Sequence, residues 1–407
     1  MKTVALAWRY LWSRPLAATL NLLLLSLGLA SITFVLLISA QIDHAFERDV
    51  AGIDLVVGAK GSPIQLILAG VFHIDVPPGN IPLAEVQALE KNPQVAQLIP
   101  LSLGDSLGGY RIVGTRPAYV ANYFGAAETV FAQGRLWAQP MQAVLGAQVA
   151  QVAGLGIGAQ FAGTHGLGGR GGGGEKHTGK PYTVSGVLKP CGCVLDRLVL
   201  TSLESVWQLH EKDTALDDED LQALQAEREV TLALIRYKSP LAAVTFPRFV
   251  NTTTDMQAAA PAVEITRLLR MVGVGADVLR GFAAVLLITA TLSVFIALWN
   301  AVRERQADLA MLRMLGAPPA RMAGLVLAEA LWLAAIACVL GLLGGHGLTA
   351  LVGSLLVAEQ PLPVSAWQWA AGEGWLLALG FGVAVLAALL PVVQAYRVDV
   401  ASLLSRS

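Results

Sequence analysis

The chain has 407 residues, 55% of them hydrophobic and 14% charged, with a mean hydropathy of +0.59. That is too apolar for an ordinary soluble protein and points to an integral membrane protein. A net charge of -1 gives a nucleic-acid partner no electrostatic footing, and three cysteines cannot build a disulfide framework.

Residues 1–15 set Lys2, Arg9 and Arg14 among Trp8, Tyr10, Leu11 and Trp12. The mixture predicts a short interfacial helix on the cytoplasmic face, ended by Pro15. Residues 16–40 carry no charge, and a run of about 25 residues spans roughly 30 Å of hydrocarbon. A cleaved signal peptide would have a shorter apolar region, about 7–15 residues, and an A-x-A site. The run therefore reads as an uncleaved first span.

Residues 41–280 are long enough for a core of their own, divided into two lobes. Apolar runs ending in glycine, Asp54–Gly61 and Ala143–Gly146, predict strands, as do Val95–Leu101, Tyr110–Gly114 and Tyr182–Leu188. Leu83–Asn92 carries helical spacing through Val86 and Leu89, so the expected class is mixed α+β. Residues 163–180 are about half glycine and predict a mobile loop. Asp213–Glu229 is acid-rich and predicts an exposed helix, and Pro261–Arg280 predicts a stalk helix entering the second span.

Three further spans are predicted at 281–299, 323–345 and 374–395. They are separated by 300–322 and 346–373 and followed by a tail, 396–407. Arg9 and Arg14, then Arg303, Arg305, Arg313 and Arg321, then Arg397 and Arg406 lie on one side, whereas 346–373 has no Lys or Arg. The positive-inside rule makes both termini and 300–322 cytoplasmic. The 41–280 domain then lies outside the cytoplasm, in the periplasm of a Gram-negative cell. Gly341, Gly344, Gly345, Gly347, Gly380 and Gly382 allow close helix approach, either within the bundle or at a dimer seam. Glu329 is the one acid well inside a span, either functional or a polar helix contact.

The segment 300–322, NAVRERQADLAMLRMLGAPPARM, reads as one short amphipathic helix stopped by Gly316 and Pro318-Pro319. Leu309, Leu312, Met311 and Leu315 fall at helical spacings, with Arg303, Glu304, Arg305, Asp308 and Arg313 as the polar surface. On spacing alone it is either a solvated connector or a lever.

The pattern N-x-x-x-E-R-x-x-(D/E)-(L/I)-x-x-L-R-x-(L/M)-G-A, followed by an apolar helix carrying Glu, resembles the signature of the FtsX/MacB-like permease family. It is met by Asn300, Glu304, Arg305, Asp308, Leu309, Leu312, Arg313, Leu315, Gly316, Ala317 and Glu329. The order of one span, a large soluble domain and three spans fits the same family, and Pro391, Arg397 and Val400–Leu404 resemble its closing motif. The resemblance implies four transmembrane helices with a large α+β extracytoplasmic domain between the first and second. It implies a coupling helix, here Arg303, Glu304, Arg305, Asp308, Leu309, Leu312, Arg313 and Gly316, that docks on a separate cytoplasmic ABC ATPase. It also implies a second permease copy, identical or not, in the bacterial inner membrane.

No intrinsic nucleotide site is expected. Gly174–Lys180 fits G-x-x-x-x-G-K, but Pro181 stands where a hydroxyl must hold magnesium. Neither paired carboxylates nor a Ser/His/Asp arrangement stands out, so the chain is read as no enzyme, with ATP bound by its partner. Zinc or copper is the alternative ligand chemistry, held by His165, His177, Cys191 and Cys193, since imidazole and thiolate suit both ions. Against it, C-x-C is not the usual zinc spacing; a Cys191–Cys193 disulfide or two plain thiols are the other readings. His346, at the outer end of the third span, has no evident partner in the sequence.

The expected function is that of an ABC-transporter permease that turns ATP hydrolysis by a partner into movement of its outer domain, for export or handling of a periplasmic substrate. A periplasmic partner protein would fit that role. The alternatives are a regulatory scaffold that activates an external hydrolase and a metal-handling membrane component.

Overall fold

A computed structural model describes residues 3–124, 130–166, 179–214, 227–359 and 365–397. The chain divides into two compact units, Met1–Ile42 with Met271–Ser407, and Asp43–Arg270.

The first unit is helical. Its elements are α1 (Thr3–Leu11), α2 (Pro15–Val50), α3 (Pro261–Glu304), α4 (Gln306–Met314), α5 (Pro319–Glu359) and α6 (Glu373–Tyr396). Four of these helices, α2, α3, α5 and α6, are long and apolar enough to cross a membrane. Small residues set how closely they pack. A Cβ on Gly341 would lie 2.6 Å from the Leu29 side chain, one on Gly345 2.4 Å from Thr33, and one on Gly380 2.5 Å from Cys338. These glycines therefore seat α5 on α2 and α6 on α5 within one chain. Gly347 and Gly382 face open space. Leu25, Leu29, Val294, Leu298, Leu333, Ala334, Ala384 and Ala388 fill the bundle core. The apolar residues turned outward, among them Leu20, Leu23, Phe282, Ile288, Leu386 and Leu390, suit a hydrocarbon surround.

The second unit is α+β, built on a sheet of eleven strands among the described residues. Nine form its continuous path: β1 (Leu55–Ala59), β2 (Val95–Leu107), β3 (Tyr110–Thr115), β4 (Phe131–Gly134), β5 (Gln142–Leu145), β6 (Tyr182–Leu188), β7 (Val199–Ser202), β8 (Leu232–Tyr237) and β9 (Met256–Ala259). Their order is β9-β1-β8-β2-β3-β7-β5-β6-β4. The long β2 joins two lobes. Its first half pairs antiparallel with β8 (Leu98↔Ile235), its second with β3 (Leu107↔Tyr110). In the first lobe Leu55 and Val57 pack with Phe246 and Val250, while Val56 packs with Leu66 and Leu232. A sheet covered on both faces explains why β1 reads as an unbroken apolar run. In β6, by contrast, every second residue is buried, starting from Tyr182. A helix, Ala147–Ala153, follows β5, and the predicted helix at Leu83–Asn92 is seen at Leu83–Glu90. Of the acid-rich segment 213–229, only its first two residues are helical, as the end of the helix Leu203–Thr214, and Glu229 lies in the short strand Glu229–Val230. Residues 215–226 lie outside the described residues, as do 167–178 of the glycine segment.

Within this unit the last residues of α2 are held by polar contacts. Tyr123 Oη donates to the Asp49 carbonyl at 3.0 Å, and Asn122 Nδ2 to that of Ala51 at 2.8 Å. The Asp49 carboxylate accepts the Val194 N–H at 2.9 Å. Nearby, His73 is buried at φ +56°, its Nε2 2.9 Å from Tyr119 Oη. Burial, helped by the charges of Arg111 and Arg197, holds this imidazole well below the usual histidine range.

Candidate functional site

The segment between α3 and α5 is not one helix. Asn300–Glu304 finish α3, Arg305 leaves the helical conformation (φ -96°, ψ 14°), and α4 restarts at Gln306. Nothing in the local sequence breaks the helix there, since neither Gly nor Pro is present. The end of α4 is local in origin. Gly316 takes φ +92°, its N–H bonds the Arg313 carbonyl at 3.0 Å, and the Ala317 N–H bonds Leu312 at 3.0 Å. These two bonds form a Schellman cap, which needs a residue free to take a left-handed φ. Pro319 then opens α5, where its missing N–H costs nothing.

At the break the Arg305 side chain turns into the bundle. Nη1 donates to Glu329 Oε1 at 2.8 Å, and Nη2 to the Tyr10 carbonyl at 3.0 Å and Ser13 Oγ at 2.8 Å. The guanidinium also lies over the Tyr10 ring, 4.3 Å from its centre. Glu329 is buried and Arg305 mostly so, with 14% of the Arg305 and 6% of the Glu329 side chain exposed. Next to it Arg14 pairs with Glu304. Helix α1 is fixed to α5 in turn, with Trp8 edge-on to Trp332 at 5.0 Å. Three elements, α1, α4 and α5, thus meet at one guanidinium.

Helix α4 has two faces. Leu309 and Ala310 are buried, Leu309 in the bundle core with Leu298, Val302, Met322 and Leu325. Met311, Met314 and Leu315 are 56%, 57% and 80% exposed. Around them Arg303, Glu304, Asp308 and Gly316 are exposed and Leu312 and Arg313 half-buried. Of the eight residues expected to couple to an ATPase, Arg305 and Leu309 face inward and the other six reach the surface to some degree. Sequence reasoning missed Tyr10, Ser13, Arg14 and Met314. Residues 1–15 signalled an interfacial helix, but nothing in them named a protein partner.

Three of the four expected metal ligands, His165, Cys191 and Cys193, lie among the described residues. Cys191 and Cys193 are bonded to each other, which takes both sulfurs out of the donor set. The turn between them is held by the Asp196 carboxylate, which accepts the N–H groups of Cys191 at 3.0 Å and Gly192 at 2.7 Å. His165 Nδ1 lies 3.4 Å from the buried Asp105, and His177 is outside the described residues. Among the described residues no group of three or more His, Cys, Asp or Glu is placed to hold an ion.

Residues 18–240 match the MacB-like periplasmic core domain, and residues 280–400 match the FtsX-like permease C-terminal domain. The first match alone covers more than half of the chain, which therefore belongs to the MacB/FtsX-like family of ABC-transporter permeases. Similar solved structures include the periplasmic region of MacB from Actinobacillus actinomycetemcomitans, at 12% identity and TM-score 0.34, covering 55% of this chain and 95% of that one. Another is the extracellular domain of the noncanonic ABC-type transporter YknZ from Gram-positive bacteria, at 12% identity and TM-score 0.29, covering 51% and 98%. No curated protein matches the chain.

Proposed function

We propose that this chain is the force-receiving half of an ABC transporter, with α4 docked on a separate cytoplasmic ATPase. The observation that carries the reading is the exposed trio Met311, Met314 and Leu315 on a helix whose other face is fixed in the bundle. An apolar centre with a charged rim is the composition of a protein–protein contact rather than of a solvated connector. The arginines of 300–322 and of both chain ends favour the cytoplasmic side for this face. ATP binding by the partner presses on α4, and Arg305 passes the displacement to α5 through Glu329 and to α1 through Tyr10. Helices α2 and α3 run on into the residues of the inserted domain, so a shift of the bundle reaches the far side of the membrane without a hydrophilic pore. Two copies would face one another, as in other members of the family. The work is then done on an extracytoplasmic substrate.

Purification from solubilised membranes tests this. An ABC ATPase should co-purify with the wild-type chain, and Leu315→Asp with Met314→Asp should lose it while keeping an unchanged size-exclusion profile. Undiminished ATPase recovery with that variant contradicts the docking surface.

A further inference from the structure

At the end of the bundle away from α4, His346 of α5 meets Glu373, the first residue of α6. His346 Nδ1 lies 2.5 Å from the Ala366 carbonyl, and Nε2 lies 3.1 Å from Glu373 Oε2. The other carboxylate oxygen, Oε1, accepts the Ala370 N–H at 2.9 Å. Glu373 is fully buried, and the Trp369 ring stands 6.0 Å from the imidazole. A second fastening lies alongside. Gln41 of α2 donates to the Ser365 carbonyl at 3.0 Å and accepts the Ser365 N–H at 2.7 Å.

Both ring nitrogens of His346 face oxygen, and one of those oxygens is a carbonyl that can only accept. Two hydrogens must therefore lie between the imidazole and its two partners. They can sit as imidazolium beside carboxylate, or as neutral imidazole beside a protonated carboxyl. The two arrangements hold the same number of protons, so the labile proton belongs to the pair and not to either residue. Removing it turns the Nε2 lone pair toward the fully buried Glu373 carboxylate, which then has no donor on that oxygen, a loss that weakens the contact.

We propose that His346 and Glu373 form a one-proton site that fastens the 365–373 segment to α5 only while the proton is held. Other charges that could supply the missing donor are remote in the sequence. Residues 15–40 of α2, 281–299 of α3, and 374–394 of α6 contain no Asp, Glu, Lys, Arg or His. On α5, His346 is the only such residue between Glu329 and Glu359. Beyond these stretches come Asp43 and His44 on α2 and, on α3, Asp277 paired with Arg280 at 2.8 Å. The segment released on proton loss carries the exposed Trp367 and Trp369, side chains suited to the lipid interface. The site makes the position of this strap a readout of acidity on its own side of the membrane.

Hydrogen–deuterium exchange on the full chain in lipid nanodiscs, corrected for intrinsic rates, tests the proposal. In the wild type the 365–373 segment should open at least about tenfold more often at about pH 9 than at about pH 5. In Glu373→Gln the side-chain amide donates to Nε2 while its oxygen keeps the Ala370 N–H, so the strap should stay protected at both pH values. His346→Ala should leave it open at both. Equal protection of the wild type across that range overturns the proposal on its own. A Glu373→Gln chain that keeps the wild-type pH dependence overturns it as well.

Discussion

Arg305 and Glu329 are 24 residues apart, on separate elements, yet their side chains meet at 2.8 Å in a buried ion pair. The contact joins the two features that the sequence presents separately, a charged segment between spans and an acid within one. Breaking a buried pair from one side leaves the other charge without a partner, at about 3–5 kcal/mol. Arg305→Ala and Glu329→Ala should each lower the thermal stability of the detergent-solubilised protein. The double replacement Arg305→Met with Glu329→Leu should cost less than either single change, because no buried charge remains. A double variant as unstable as the two single changes added together contradicts the ion-pair account.

Gly316 ends α4 at φ +92°, where a side chain is strained although open space surrounds it. Gly316→Ala should cost about 1–2 kcal/mol from backbone strain alone. Gly324→Ala, in the helical run of α5 and equally open, serves as the control and should be neutral or slightly stabilising. Thermal unfolding of the two variants separates them, and equal midpoints would contradict the strained turn.

How much of this was legible beforehand differs by element. Of the inserted domain's strands, β4, β7, β8 and β9 were not read from the sequence. The four apolar runs and the five strands β1, β2, β3, β5 and β6 follow from periodicity and length, because burial in lipid or in a sheet imposes them locally. Even there β2 extends six residues past Leu101, since its second half pairs with a different neighbour. The break at Arg305 was not legible, because no Gly or Pro marks it and the contact made there, with Glu329, is a tertiary one. His346 likewise has no partner within its own helix; Glu373 comes from the far side of a connection. For the cysteines, spacing alone left thiols, disulfide and metal all open, and the backbone turn at Gly192 (φ +62°) accompanies the disulfide.

His73 predicts a pH dependence. Its imidazole is held well below the usual range in the fold, so it stays neutral where the unfolded chain takes up a proton. The unfolded state then binds more protons below about pH 6.5, and stability is full above that value and falls as pH drops below it. Asparagine also tolerates the positive φ, so His73→Asn keeps the backbone and removes the titration. Below about pH 6.5 the stability difference between wild type and variant should change by up to about 1.4 kcal/mol per pH unit. Parallel curves would contradict the buried neutral imidazole.

Cys191 and Cys193 close a loop of minimal length, so their bond restricts the unfolded chain little. Under denaturing conditions without reductant, alkylation should modify Cys338 alone, and after reduction all three cysteines. Mass spectrometry of the intact chain reads the difference, and three modified cysteines before reduction would contradict the disulfide.

The central claim is that α4 touches a cytoplasmic motor through its outward face. Site-specific photo-crosslinking in intact cells, with the probe at Met314 and a control at the inward-facing Leu309, tests it most directly. The account predicts an adduct with an ABC ATPase from position 314 and none from 309. An adduct from neither position, or only with proteins outside the cytoplasm, would contradict it.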